Sequence, residues 1–491
     1  MESAIRWNQK LNNMSNAPRR LVVAGHGAAG LSAALSAAEA ARQRDVAVDI
    51  TLVEKASEES AGGNTLWSPS YMRLDAPDRI APDLERDMLQ ASNGYGDQLY
   101  FRALANNATA TVGWLQTHGV EFCSPVYYLS AGPRRIQPVG GGRAIINALS
   151  RAAKRLGVVV KYGGVARRLV MAELGRVSGL VIESGDGAIE TIPADAVVLA
   201  TGGFQADRDM MRKYFGPGGE NIRLLAPCAH HNTGDGIRIA IEHGARTSGD
   251  WNGMHAEPTD PRAENAAPVV LVYPYGIVVD QSGRRFFDEG GGLVHETWER
   301  FARTIHFKTP GCKAYAILDG RLFDIAHFER AIRSEVPPYQ AETLDQLARL
   351  IGIDPLRLIE TVAHYNAAIV GDPACFDATR CDGLATSGRL HPAKSNWARA
   401  IVEPPFLAYP LIGAVAYTFG GLATNAKAEV LGNDGPLAGL YAAGEVTGHF
   451  YGTAPNAVSV LRSLVFGRIA GLEAASYLEG TFAASELSLR R

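Results

Sequence analysis

The sequence offers no covalent framework. Its 491 residues contain five cysteines, Cys123, Cys228, Cys312, Cys375 and Cys381, odd in number and scattered. Such thiols fit a reducing, cytoplasmic compartment and exclude a disulfide-stapled scaffold. Cys375 and Cys381 match no zinc or redox spacing, and His230, His231, His255 and Glu257 form no metal motif. The segment "HETWE" at 295–299 ends in Glu299 where HExxH needs its second histidine, so no metal is expected. Excess charge is missing as well. Lys and Arg total 48 against 51 Asp and Glu, a net charge of −3, which gives no footprint for nucleic acid. No apolar run reaches the roughly 18 residues of a membrane span. Residues 1–18, "MESAIRWNQKLNNMSNAP", are polar, lack a signal-peptide centre and read as a flexible N-terminal arm. A chain this long exceeds one ordinary core and calls for two or three domains.

What is plentiful is glycine at turns. In "RRLVVAGHGAAGLSAALSAAEA", residues 19–40, an apolar strand runs into Gly25, Gly27 and Gly30 and then into an Ala/Leu-rich helix. Gly25 permits the tight turn, Gly27 lets a pyrophosphate approach the main chain, and Gly30 lets helix and strand pack closely. The helix start, with unpaired N–H groups and the positive end of the macrodipole, suits phosphate. The next strand, "VDITLVEK", ends in Glu54, placed to accept from a ribose hydroxyl. These features point to a bound dinucleotide.

Farther along, "SAGGNTLWSPSYMRL" is a loop able to wrap a cofactor, and residues 81–120 read as helices. "PVGGGRAIINALSRAAKRLGVVVKY" opens a further helix after Gly140–Gly142. Strands are expected in "VVVKY", "RVSGLVIE" and "ADAVVLATGG", with "SGDGAIE" as a turn. From about 250 to 400 the texture changes: "GIVVDQSGRRFFDEG" is hairpin-like, "AYAILD" is a short strand, and two helices break at Asp354-Pro355. "TFGGLATN", "GLYAAGEVTG" and "APNAVSVLRSLVFGRIAGLEAASYL" then return to the first texture. The expected fold is α/β: a split Rossmann-like domain at 19–249 and 401–491, with an α+β capping or substrate domain inserted at 250–400. No second strand–GxGxxG–helix unit follows, because "VGGGRA" and "GPGGEN" lack the spacing. A dedicated nicotinamide domain is therefore not expected, and electrons pass to or from an external carrier, a free flavin, a quinone or oxygen.

Taken in order, "VVAGHGAAGLSAALSAAE", "VEKASEESAGGNT", "VVLATGGF", "NTGDGIRIAIEHGA", "GRRFFDEG", "TFGGLATN" and "GLYAAGEVTG" resemble the flavoproteins of the fumarate reductase and succinate dehydrogenase family. "HGVEFCSP", "RIQPVGGGRAIINAL" and "SVLRSLVFGRIAG" look most like its tricarballylate dehydrogenase branch, itself similar to 3-ketosteroid dehydrogenases. The resemblance implies FAD under a mobile cap and hydride exchange between flavin N5 and a carbon of a C–C bond α,β to a carbonyl or carboxylate. The FAD is expected to be noncovalent, since the loop "GGNT" lacks the flavin-linking histidine of membrane-bound members. The implied FAD site comprises Gly25, Gly27, Ala28, Ala29, Gly30, Glu54 and Lys55 at the glycine turn and second strand. Gly62, Gly63, Asn64, Thr65, Ala166, Ala200, Thr201, Gly202 and Asp235 follow, then Gly444, Glu445, Asn456, Ala457, Val458, Ser459 and Val460 near the last helix. In that last group "APNAVSV" aims N–H groups at the flavin C2 carbonyl, or is an ordinary helix start capped by Asn456. Glu445 is expected on the ribityl chain.

For the substrate side the resemblance singles out Tyr417 and Tyr451, which flank the two loops that meet at the flavin. A phenol donates to a carbonyl or, with a depressed pKa, acts as base; tyrosines are also common packing residues. Tyr275 in "VYPYG" and Arg321 in "AYAILDGRLFD" complete the catalytic candidates. Tyr417 stands where fumarate reductases carry a histidine, Phe323 where they carry the proton-delivering arginine, and Ala454 where they clamp substrate with arginine. A plain fumarate or succinate enzyme is therefore not expected. Arg284 and Arg285 read as a structural clasp to Asp288 or Glu289, and Arg134 and Arg135 as loop charges or carboxylate ligands. The alternatives are an FAD oxidase or monooxygenase on the same scaffold, and a non-catalytic flavin-binding protein whose cap serves a partner.

Overall fold

Leu21, Val22, Val23 and Ala24 are all at most 1% exposed, which makes Arg19–Ala24 a central strand with both faces covered. It pairs in parallel with Val48–Glu54 on one side and Ala196–Leu199 on the other. Val159–Tyr162 extends the sheet beyond Val48–Glu54. Pro436–Ala442, from the far end of the chain, extends it beyond Ala196–Leu199, and Glu429–Leu431 closes that edge antiparallel. The two halves of the split domain are thus one six-stranded sheet. This computed structural model describes residues 18–489 except 127, 130, 131, 133 and 389, and only the backbone of 174 and 481–489. The expected N-terminal arm lies, apart from Pro18, outside the described residues.

Two helices cross on one face of the sheet with almost no side chain between them. Ala28–Gln43 follows the glycine turn, and Ser459–Leu489 packs on it with Leu461 and Leu464 fully buried. A Cβ on Gly467 would lie 2.3 Å from the Ala29 carbonyl oxygen, and one on Gly471 2.2 Å from that of Ala33. Glycine at that four-residue spacing is what lets the backbones touch. On the other face lies an antiparallel sheet of Val165–Met171, Val177–Glu183 and Ile189–Pro193. The sequence reading found the middle strand and missed its neighbours. A bulge at Ala166/Arg168 breaks the alternation of the first, and the second is an exposed edge with Ile189 64% accessible.

A second sheet is organised around the 13-residue strand Phe406–Thr418. Residues 406–411 lie between Ala314–Leu318 and Tyr339–Ala341, and residues 412–418 pair with Met254–Thr259 and Arg223–Leu224. Ile277–Asp280 completes it beyond Ala314–Leu318. The sheet therefore reaches past the expected 250–400 limits at both ends, because its longest strand carries the chain from the cap back to the first domain. The expected hairpin after Ile277–Asp280 reduces to one bridge, Val279 to Arg285. The Arg285 guanidinium there meets Glu289 at 2.5 Å, both side chains buried. The helices Leu344–Ile351 and Pro355–Ala368 break at Asp354, whose carboxylate accepts from the N–H groups of Leu356 and Arg357. Among the described residues no helix is long and apolar enough to cross a membrane.

Replacing Gly471 with alanine is expected to destabilise the protein by about 1–3 kcal/mol, the usual cost of overpacking. A urea unfolding midpoint equal to that of the unsubstituted protein would show that the two helices do not depend on this contact.

Candidate active site

The glycine turn is built as its spacing requires. Gly25 has φ of +112°, and a Cβ there would lie 2.2 Å from the Ala200 carbonyl oxygen. A Cβ on Gly30 would lie 1.8 Å from the Gly25 oxygen. Around Gly27, by contrast, the nearest atom to a Cβ is at 3.8 Å, so space is kept open over the helix start. Gly27 is also the N-cap and offers no side-chain acceptor to the first turn. Glu54 accepts from the N–H groups of His26 and Ala56, each at 2.7 Å, and its burial raises its pKa. Lys55 pairs with Asp235 at 3.0 Å.

From this turn a cleft, open to solvent, runs between the two sheets. Of the expected cofactor residues, Gly25, Gly27, Ala28, Ala29, Glu54, Lys55, Gly63, Asn64, Thr65, Ala166, Ala200, Thr201, Gly202 and Asp235 line it. Gly444, Glu445, Asn456, Ala457, Ser459 and Val460 line it from the other half of the sheet. Gly30, Gly62 and Val458 do not. Gly30 sets the helix–strand approach, Gly62 turns with φ of +132° against Leu66 and Ile146, and Val458 is packed at 1% exposure. The hydroxyl of Thr201 is buried without a hydrogen-bond partner among the described residues, as expected of a wall that meets a polar ligand. Asn456 does not cap the last helix: that helix begins at Ser459, Ala457 is left-handed at φ +60°, and the Asn456 amide oxygen accepts from Arg135 at 3.3 Å. Glu445 accepts from Thr418 N–H at 3.0 Å, and burial raises it to about 7.

Of the four catalytic candidates the structure brings only Tyr417 to the cleft. The Tyr451 hydroxyl accepts from Gly249 N–H at 2.9 Å beside Tyr95. Tyr275 packs against Trp397 and Phe376 and donates to the Ala378 carbonyl. Arg321 is held by Asp319 at 2.6 Å and by Glu403. Each of these three is committed to partners away from the cleft. Phe323 is half exposed, and Ala454 lines the cleft with only a methyl group.

The polar groups that converge on the end of the cleft away from the glycine turn come mostly from the second sheet and its helix. His255 on Met254–Thr259 stacks on Tyr417 at 5.0 Å. Its ring nitrogens face Glu299 at 2.8 Å and Glu257 at 3.4 Å. The two carboxylates overcome burial and raise the imidazole to about 9. The helix Val294–Lys308 supplies His295 and Trp298 to the cleft and Glu299 to His255. His295 is lowered to about 4, by burial first and then by Arg135 and Arg73. Sequence reasoning weighed "HETWE" only as a failed metal motif, although its i, i+3 spacing already placed His295 and Trp298 on one helical face. Arg135, weighed as a loop charge or a carboxylate ligand, is only 5% exposed. Among the described residues no group of three or more His, Cys, Asp and Glu side chains is placed to hold a metal ion.

Known proteins agree with this geometry. The family described as "FAD binding domain" matches residues 20–459. A protein named "Probable fumarate reductase" from Shewanella frigidimarina (strain NCIMB 400) is 28% identical over 93% of this chain and 75% of its own length. The 4-oxocyclohexanecarboxylate 2-dehydrogenase of Sinomonas cyclohexanicum is 31% identical over 72% of this chain and 64% of its own. The structure of 3-ketosteroid Δ1-dehydrogenase from Sterolibacterium denitrificans superimposes with a TM-score of 0.72 at 19% identity, covering 93% of this chain and 99% of that one, a likeness of fold. With the glycine turn, the split sheet and the cleft between the sheets already in place, the match over residues 20–459 shows that this chain belongs to the FAD-binding flavoprotein family.

Proposed function

We propose that the chain is an FAD-dependent oxidoreductase that exchanges hydride with a C–C bond α,β to a carbonyl or carboxylate, with FAD held noncovalently. One continuous cleft, running from the glycine turn to the His255, Tyr417 and His295 cluster, carries this reading. The side chains of the "GGNT" loop are engaged with protein, which supports noncovalent binding. Asn64 donates to the Ala416 carbonyl, and the Thr65 hydroxyl accepts from Ala28 N–H. The sequence offers no second dinucleotide-binding unit, so the electrons are exchanged with an external carrier.

FAD, when bound, supplies the two-electron hydride chemistry. The chain's own residues handle the proton and the developing charge. Burial first, and then the Glu299 charge, push the Tyr417 phenol far above its ordinary pKa. It therefore stays protonated and serves as a hydrogen-bond donor to a substrate carbonyl, not as the base. His255, an imidazolium held between two carboxylates, stacks on the Tyr417 ring and fixes its position. Three cleft histidines are lowered by burial, but His26 and His231 lie beside Glu54 and Lys55 at the glycine-turn end, so His295, lowered to about 4 and kept neutral at pH 7, is the imidazole we assign the α-proton. Cys228 also lines the cleft, but burial raises its thiol to about 12, which leaves it unreactive.

Anaerobic addition of saturated ketones and carboxylic acids is expected to bleach the flavin with at least one compound, or unsaturated analogues to reoxidise the reduced form. His295→Asn is expected to slow that step about 10²–10⁴-fold, the range for loss of a general base. A variant with the unsubstituted rate would remove His295 from the mechanism. A separate expectation concerns stability. Because folding raises His255 above its ordinary 6.5, its contribution is fully present below pH 6.5 and is lost as pH rises through about 9. The stability gap between the protein and His255→Asn should therefore shrink across that window, and a gap independent of pH would contradict the charged triad.

A further inference from the structure

A buried cation stands where a helix start least favours one. Arg462 lies in the first turn of the helix Ser459–Leu489, a turn without an acidic residue, and is only 1% exposed. The unpaired N–H groups and macrodipole of a helix start are positive, so an arginine there adds like charge to like. Desolvation is a second cost, because a buried guanidinium is stable only when an anion or enough acceptors meet it.

The protein supplies little of either. Among the described residues Arg462 makes no ion pair with a carboxylate. It donates to the Thr447 carbonyl at 3.5 Å, its guanidinium lies 4.1 Å from the centre of the Phe450 ring, and its Nε is buried without a hydrogen-bond partner. Glu445 acts on it through space, but that carboxylate accepts from Thr418 N–H and sits at about 7, so near neutral pH it carries only part of a charge. His449, stacked on the buried Tyr100 ring at 3.5 Å, is kept neutral by burial first and then by Arg462. Arg462, Glu445 and Ser459 all line the cleft, so an anion there would offset both costs.

The strand order of the first sheet places Val48–Glu54 on one side of Arg19–Ala24, and Ala196–Leu199 followed by Pro436–Ala442 on the other. A dinucleotide with its phosphates at the glycine turn and a ribose on Glu54 has its remaining half on the side of Gly444, Glu445 and Arg462. Resting on the function proposed above, we infer that Arg462 is the protein's countercharge for reduced, anionic flavin and sets how readily the bound cofactor accepts electrons. It acts through the wall of the cleft as a positioning residue for charge, without handling substrate.

The test uses the FAD-loaded protein, with sulfite as the probe and the two-electron midpoint potential as a second readout. Sulfite donates an electron pair to flavin N5 and forms an N–S bond; the displaced pair remains as negative charge at the N1–C2 carbonyl end. Its affinity therefore reads the local field without substrate or turnover. The unsubstituted protein is expected to bind sulfite about 10-fold or more tightly than free FAD does. Arg462→Gln should weaken that affinity about 10-fold or more and lower the midpoint potential by about 30 mV or more, the two-electron equivalent of a tenfold change. Arg462→Lys, which keeps the charge, should restore most of both. FAD content and Tm identify a variant that has merely lost its fold; Arg462→Met, which keeps an apolar stem against Phe450, then carries the comparison. A sulfite affinity no better than that of free FAD, or neutral variants that keep the unsubstituted affinity and potential, overturn the countercharge. Absence of turnover with every ketone and acid overturns the proposed function alone, whereas a protein that takes up no FAD overturns both.

Discussion

The carbonyl oxygen of Gly25 lies 1.8 Å from the place a Cβ on Gly30 would occupy, and that of Ala200 lies 2.2 Å from one on Gly25. Much of the molecule depends on this backbone contact. It brings the first strand, the first helix and the strand Ala196–Leu199 together closely enough that the helix start opens directly on the cleft. The last helix extends the same device by resting Gly467 and Gly471 on the carbonyls of Ala29 and Ala33. Residues from the two ends of the chain consequently form one wall around a ligand whose phosphates need bare backbone and no side chains.

The opposite wall depends on the strand Phe406–Thr418. Its start is locked into the second sheet, and its end delivers Tyr417 against His255 and Thr418 against Glu445. A single element thus sets the position of the His255–Tyr417 corner relative to the glycine turn. The ionised triad of Glu257, His255 and Glu299 stiffens the same corner, because each carboxylate is tied to one ring nitrogen. Charge, packing and strand register there all constrain the same few side chains.

The sequence displayed the parts whose physics is local. The glycine turn, the break at Asp354-Pro355 and the Arg285–Glu289 clasp each follow from neighbours a few residues apart. The contents of the substrate end are non-local. Arg135 reads as a solvated loop charge or a carboxylate ligand until Asn456, 321 positions away, is seen to accept from it. Tyr275 reads as a candidate from its place before the expected hairpin and Arg321 from its nearness to the arginine position of the resemblance, yet their partners Ala378 and Glu403 hold them elsewhere. The strand Val165–Met171 was hidden for a different reason: its bulge destroys the alternation by which strands are found.

The central claim is that the cleft beneath the glycine turn holds FAD without a covalent bond. Its most direct test is the visible absorbance spectrum of the purified protein, followed by acid precipitation and identification of what remains in the supernatant. A yellow protein that releases intact FAD is the predicted result. A colourless protein that fails to take up added FAD, or a flavin that precipitates with the chain, would contradict it.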